Sequence, residues 1–218
     1  MMCIKDNIAA VNLQIESACQ QANRSPKQVT LLAVSKTKPI DMIEQIYQTG
    51  QRCFGENYIQ EAVEKIVQLK HLQNIVWHYI GPIQSNKTKV VAEHFDWVQS
   101  IDREKTAKRL NDQRPANMSP LNVCVQINID DEQSKSGVKP SELADLITFI
   151  QSQENLRLRG LMAIPKADPT ADEQNMSLSK LKEIFDHYHN SLTNFDTLSV
   201  GMSSDMAEAI QHGSTMVR

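Results

Sequence analysis

The stretch Val29-Thr30-Leu31-Leu32-Ala33-Val34-Ser35-Lys36-Thr37-Lys38-Pro39 is a short run of buried-strand residues that stops on an ammonium group and is closed by proline. Alternation along a strand places Lys36 and Lys38 on one face. Partial burial and a neighbouring like charge make Lys36 a candidate amine nucleophile for a carbonyl ligand. The segment alone is also accounted for by a lysine snorkelling from a strand end.

Outward from this strand, the chain alternates. Before it, Ile4, Ile8, Val11, Ile15, Ala18 and Ala22 form the apolar stripe of a helix from about Ile4 to Asn23. After it come a helix from Ile40 to Tyr47, a strand at Cys53-Phe54, a helix from Ile59 to Leu69 and a strand from Ile75 to Ile80. Next are a helix near Lys87 to Glu93, a strand at Trp97-Val98, a helix near Arg103 to Leu110 and a strand from Asn122 to Ile127. The last units pair helices at Ser141 to Ile150, Ser179 to His189 and Asp205 to Gln211 with strands at Leu158 to Ala163, Leu198 to Val200 and Thr215 to Val217. About eight strands separated by helices predict an α/β fold of (β/α)8 TIM-barrel type, one domain over residues 1–218. A doubly wound open sheet is the runner-up.

On a barrel the residues that follow each strand converge on one face. Here they are Lys36, Asn57, Gly81 and Gln84, Ser100, Asn128, Met162, Ser203 with Ser204, and Arg218.

Composition narrows the function classes. Hydrophobic residues make up 40% and charged residues 22% of the 218, ordinary for a globular chain. A formal charge of −3 argues against broad nucleic-acid binding. No apolar run approaches membrane-spanning length, and no export signal opens the chain. Cys3, Cys19, Cys53 and Cys124 are scattered, which predicts reduced thiols and a cytoplasmic location.

Gly201-Met202-Ser203-Ser204-Asp205 lies between a strand and a helix, where free backbone N–H groups and two hydroxyls suit a phosphate. Ordinary N-capping by Ser203 or Ser204 is the competing explanation. Asn57, in Gly55-Glu56-Asn57-Tyr58, reads as the N-cap of the next helix, and Asp130 to Gly137 reads as a solvated flap over the site face. His187 and His189 lack partners at metal-ligand spacing, and neither a Gly-x-Ser-x-Gly elbow nor a Walker-type loop is present.

Taken together, several stretches resemble those of the single-domain pyridoxal 5′-phosphate (PLP) homeostasis proteins, whose barrel is similar to the N-terminal domain of alanine racemase. They are Ala33 to Pro39, Phe54 to Tyr58, His78 to Gly81 with Gln84 to Lys87, Lys135-Ser136-Gly137, Arg159 to Pro165, and Gly201 to Asp205 with Gly213 to Arg218. The resemblance implies that Lys36 holds PLP as a Schiff base, that Ser203 with Ser204 holds the phosphate, and that Asn57 and Met162 line the ring. It also implies that Arg218 faces the pyridine nitrogen, where a permanent cation opposes ring protonation and weakens the cofactor as an electron acceptor. His78 ranks lower, as a contributor behind the ring. Family members continue past the arginine with a Gly-Thr-containing segment, so the C-terminal end of the last unit is expected to be missing, with weaker cofactor binding.

Two functions use the same lysine. One is a non-catalytic protein that carries, buffers or delivers PLP, with apo PLP-dependent enzymes as recipients and a monomeric state. The other is a PLP-dependent amino-acid racemase or decarboxylase. Two-base racemisation needs a proton donor on the opposite face of the substrate. In the alanine-racemase arrangement a second domain supplies it, for which this chain has no residues left, and neither Tyr58 nor Tyr79 is singled out by spacing. The binding protein is the favoured expectation.

Overall fold

Residues 30 to 34 form two short strands, β1 (Thr30–Leu31) and β2 (Ala33–Val34), on either side of Leu32. In the computed structural model, which describes residues 3–132, 135–166 and 168–218, these halves look in opposite directions. β1 pairs in parallel with the last strand, Leu31 opposite Val217, while β2 pairs in parallel with the next strand, Val34 opposite Gly55. One continuous segment therefore joins the two ends of the sheet, which leaves no free edge.

The remaining elements are α1 (Ile4–Gln21), α2 (Ile40–Tyr47), β3 (Cys53–Glu56), α3 (Ile59–Gln68), β4 (Val76–Tyr79), α4 (Thr88–His94), β5 (Trp97–Ile101), α5 (Glu104–Gln113), β6 (Leu121–Gln126), α6 (Leu143–Gln151), β7 (Leu156–Met162), α7 (Ala171–His189), β8 (Thr197–Ser199), α8 (Met206–Gln211) and β9 (Met216–Val217). The strands run β1-β9-β8-β7-β6-β5-β4-β3-β2, every pairing parallel. Counting β1 and β2 as one broken stave gives the expected (β/α)8 barrel, and the doubly wound alternative is excluded because such a sheet keeps two open edges. The last strand is in place: β9 is paired on both sides, with β1 and β8.

Strand alternation divides the apolar residues between two layers. Phe54, Trp77, Tyr79, Val123, Val125 and Leu161 pack with Ile43, Ile66, Leu110, Ile147 and Phe185 of the helices. Inside the barrel, Trp97, Cys124 and Met162 cluster with Val76. Above them runs a polar layer, in which Gln99 Nε2 lies 2.9 Å from His78 Nδ1 and Ser199 donates its hydroxyl to Gln99 Oε1 at 2.7 Å. Gly160 permits the tight approach of β7 to β8: a Cβ there would stand 1.7 Å from the carbonyl oxygen of Thr197.

The seam has its own core. Ile15, Ala18 and Cys19 of α1 pack with Val29, Met206, Ile210 and Val217, so the N-terminal helix covers the junction of the first and last strands. Arg24 reinforces it by donating Nη1–H to the carbonyls of Ile210 at 2.6 Å and Ser214 at 2.8 Å, which ties the chain just after α1 to α8 and to the segment before β9.

Some boundaries differ from expectation. The first strand ends at Val34, not Lys36, because Lys38 N–H bonds back to Ser35 O at 3.0 Å and Thr37 takes a left-handed φ of 61°. α7 begins at Ala171, eight residues before Ser179, because Thr170 and Glu173 form a reciprocal capping box ahead of the apolar stripe. No helix among the described residues is long and apolar enough to cross a membrane.

Candidate functional site

Lys36, Asn57, Met162, Ser203, Ser204 and Arg218 all lie at or just beyond strand ends, and their strands are neighbours. Around the barrel the order is β7 (Met162), β8 (Ser203 and Ser204), β9 (Arg218), β1/β2 (Lys36) and β3 (Asn57). Closure places the strand that ends at residue 218 beside the stave that leads to residue 36, which no linear spacing reveals. The ends of β4, β5 and β6 supply none of the six.

Lys36 is exposed, so the partial burial expected of it is absent. Its kinship of face with Lys38 also fails, since both sit in the turn that follows β2. The backbone beside it is held from below. Ser35, 5% exposed, donates its hydroxyl to Glu56 Oε1 at 2.6 Å, and its carbonyl accepts from Lys65 Nζ at 2.7 Å. Lys65 also donates to Glu56 Oε1 at 2.8 Å and to Glu61 Oε1 at 2.5 Å, and Glu61 Oε1 accepts the Thr37 N–H at 2.6 Å. Burial pushes the Glu56 carboxyl up, against the hydrogen bonds from Lys65 and Ser35. At Glu61 desolvation acts in the same direction, but the bonds from Lys65 and Thr37 outweigh it and hold that carboxyl below its usual value.

Asn57 does not cap α3. That position belongs to Tyr58, which makes no side-chain capping bond. Asn57 Oδ1 is instead buried without a hydrogen-bond partner, and its backbone is fixed by Tyr79, whose hydroxyl donates to Asn57 O at 3.1 Å and Pro82 O at 3.0 Å. Gly81 is required here, because a Cβ would fall 2.4 Å from Asn57 O. Burial pushes the Tyr79 phenol up to about 12, and Tyr58 is 55% exposed.

Arg218 donates Nη2–H to Ala163 O at 2.9 Å and its backbone N–H to Gly201 O at 2.9 Å, while Nε is buried and unpaired. Desolvation lowers the guanidinium to about 10, which leaves it cationic at neutral pH. Ser203 and Ser204 are exposed, and neither caps α8: Asp205 is the N-cap, and its carboxylate accepts the Met202 N–H at 2.6 Å. Met202 is 40% exposed beside them. Met162 is fully buried against Trp97 and Cys124, inside the stave rather than on the rim. His78 is likewise interior, stacked on Trp97 at 5.0 Å.

The expected flap is partly tied down. Asn128 exchanges hydrogen bonds with the Glu132 backbone, Ile127 bridges Val138, and Lys135 pairs with Glu132 at 2.8 Å. Gln133 and Ser134 fall outside the described residues. No cluster of three metal-ligating side chains occurs among the described residues.

Sequence reasoning missed Glu56, Glu61 and Lys65. A signal existed in Glu61 and Lys65 at i, i+4 on one helix face, but only the barrel shows that this face points beneath Lys36.

In ring order the staves that carry the unpartnered Asn57 Oδ1 and Arg218 Nε lie on either side of the one that leads to the exposed Lys36, with two exposed serines beyond β8. An amine, a guanidinium and two hydroxyls fit a small anionic aldehyde. Comparison with known proteins agrees in fold and in family. The family model for the alanine racemase N-terminal domain matches residues 8–218. A pyridoxal phosphate homeostasis protein of Haemophilus influenzae is 53% identical over all of this chain and 93% of its own length. The structure of PipY from Synechococcus elongatus with PLP bound is 31% identical with a TM-score of 0.81, over 94% of this chain and 96% of that one. An alanine racemase from E. faecalis, 18% identical with a TM-score of 0.69, shares the fold over 96% of this chain and 56% of its own. With the family model matching residues 8–218 and about half of its residues identical to those of the Haemophilus influenzae relative, the chain belongs to the pyridoxal phosphate homeostasis protein family.

Proposed function

We propose that this protein binds PLP on Lys36 and acts in intracellular PLP homeostasis by carrying, buffering or delivering it. The observation that supports the reading is the order of adjacent strand ends, in which the stave of an exposed lysine lies between those of an unpaired amide oxygen and a partly buried guanidinium. PLP would supply an electrophilic aldehyde, and Lys36 would hold it through its Nζ amine.

The chain's own groups do the rest. Ser203 and Ser204 present hydroxyls to the phosphate, since neither is spent on capping. Asn57 would hold the ring with its amide, and Tyr79 and Gly81 fix its backbone. Arg218 would hold a lasting positive charge toward the ring nitrogen and so disfavour a proton there. Met162 supports the site from beneath.

A racemase reading needs a second proton donor. Tyr79 is a poor one, being 2% exposed with its hydroxyl committed to two carbonyls. The non-catalytic reading extends to delivery to apo PLP-dependent enzymes by a monomer. Cytoplasmic residence accords with four unpaired cysteines.

Incubation with PLP, borohydride reduction and peptide mapping test the reading. The label is expected at Lys36 and is expected to vanish in Lys36→Ala; a label confined to other lysines overturns it. Incubation with single amino-acid enantiomers is expected to show no sustained turnover.

A further inference from the structure

Lys36 itself makes no hydrogen bond among the described residues, yet both of its chain neighbours are anchored to one buried ammonium and its carboxylates. On the N-terminal side Ser35 gives its carbonyl to Lys65 Nζ at 2.7 Å, its hydroxyl to Glu56 at 2.6 Å and its N–H to Gly55 O at 2.9 Å. On the C-terminal side Thr37, at a left-handed φ of 61°, gives its N–H to Glu61 at 2.6 Å, the same carboxylate oxygen that Lys65 holds at 2.5 Å. The side chain of Lys65 is 5% exposed and that of Glu61 31% exposed.

We infer that Lys65 and Glu61 are positioning residues that clamp the backbone on both sides of Lys36 and so fix where its amine can meet a carbonyl. The inference rests on the proposed capture of PLP at Lys36 and adds the means by which that amine is aimed. A left-handed threonine is unfavourable unless its surroundings impose it, and the bond from Thr37 N–H to Glu61 imposes it here. Lys65 in turn holds Glu61 in place, because it bridges Glu61 to the buried Glu56 and to the Ser35 carbonyl. The cost of burying the ammonium is offset by three acceptors within hydrogen-bond reach. Fixing the Cα removes the backbone share of the freedom that capture must otherwise overcome, leaving only the side-chain rotamers to be ordered.

The test uses the full chain and its Glu61→Ala, Glu61→Gln and Lys65→Met variants, with two readouts. The first is hydrogen exchange of the Thr37 amide without PLP; the second is the equilibrium constant for borohydride-trappable PLP at Lys36. Glu61→Ala is expected to speed Thr37 exchange by about tenfold or more and to weaken capture by about tenfold, with the thermal transition close to that of the parent. Glu61→Gln keeps a carbonyl acceptor and is expected to restore both. Lys65→Met is expected to behave as Glu61→Ala; should it not fold, the half-exposed Glu61 variants decide alone. Thr37 exchange within about twofold of the parent in Glu61→Ala overturns the clamp, as does faster exchange with unchanged capture. If the parent carries no label at Lys36, the binding proposal falls, and the exchange data by themselves support or overturn the clamp.

Discussion

At the scale of the residue, His78 shows what the barrel interior does to a titratable group. Its ring is 1% exposed, stacked on Trp97 and bonded through Nδ1 to Gln99, while Nε2 has no partner. Burial lowers its pKa from 6.5 to about 3, so the folded protein keeps it neutral where the unfolded chain protonates it. Its contribution to stability is therefore complete above pH 6.5 and is lost as the pH falls from 6.5 toward 3. The loss amounts to about 1.4 kcal/mol per pH unit. His78→Gln is expected to reduce the slope of unfolding free energy against pH by about one proton over that interval, measured by urea titration. Identical slopes would refute the assignment. From the sequence His78 was legible as a strand residue near the site; its inward direction and neutral state depend on Gln99 and Trp97, contributed by the neighbouring strand.

At the scale of the element, helices were legible where an apolar stripe was present and hidden where it was not. α2 spans Ile40–Tyr47 as its periodicity predicts, with Ile43 buried. The first turns of α7 carry Ala171, Asp172, Glu173, Gln174 and Asn175, no two of them large and apolar, so the stripe begins only at Leu178. Local hydrogen bonding starts the helix instead: Thr170 Oγ1 accepts the Glu173 N–H at 3.2 Å, and Glu173 accepts the Thr170 N–H at 2.8 Å and the Lys166 ammonium at 2.8 Å. These bonds hold the Glu173 carboxyl well down, at about 2. Thr170→Ala is expected to cost about 1 kcal/mol in urea unfolding and to fray the first turn of α7. An unchanged midpoint would show that the cap contributes nothing. The corner at Thr37 has the opposite cause: strand periodicity predicts extended chain, and a carboxylate 24 residues away in sequence, that of Glu61, turns it.

At the scale of the whole molecule, closure is the governing fact. The amide of Leu32 donates to Val217 O at 2.8 Å, linking the first stave to the last, and α1 seals the junction through Ile15, Ala18 and Cys19. Because every stave is paired on both sides, the barrel has no place from which to unzip cheaply. The Leu32 amide is therefore expected to exchange at the rate set by global unfolding, as does that of the fully buried Cys124. Ile210→Ala, a truncation at a fully buried seam position, is expected to cost about 3 kcal/mol and to accelerate both amides together. Faster exchange at Leu32 alone would mean that the seam opens independently. The sequence by itself determined the alternation of strands and helices, hence the barrel, and the identity of the polar residues that end its staves, because periodicity and chain order are local properties. Only the tertiary structure decided that the staves leading to residues 36 and 218 are neighbours, that Asn57 Oδ1 is left unpaired, and that Lys65 bonds the backbone beside the site lysine. Contacts across a closed ring depend on curvature and register, which no stretch of chain carries alone.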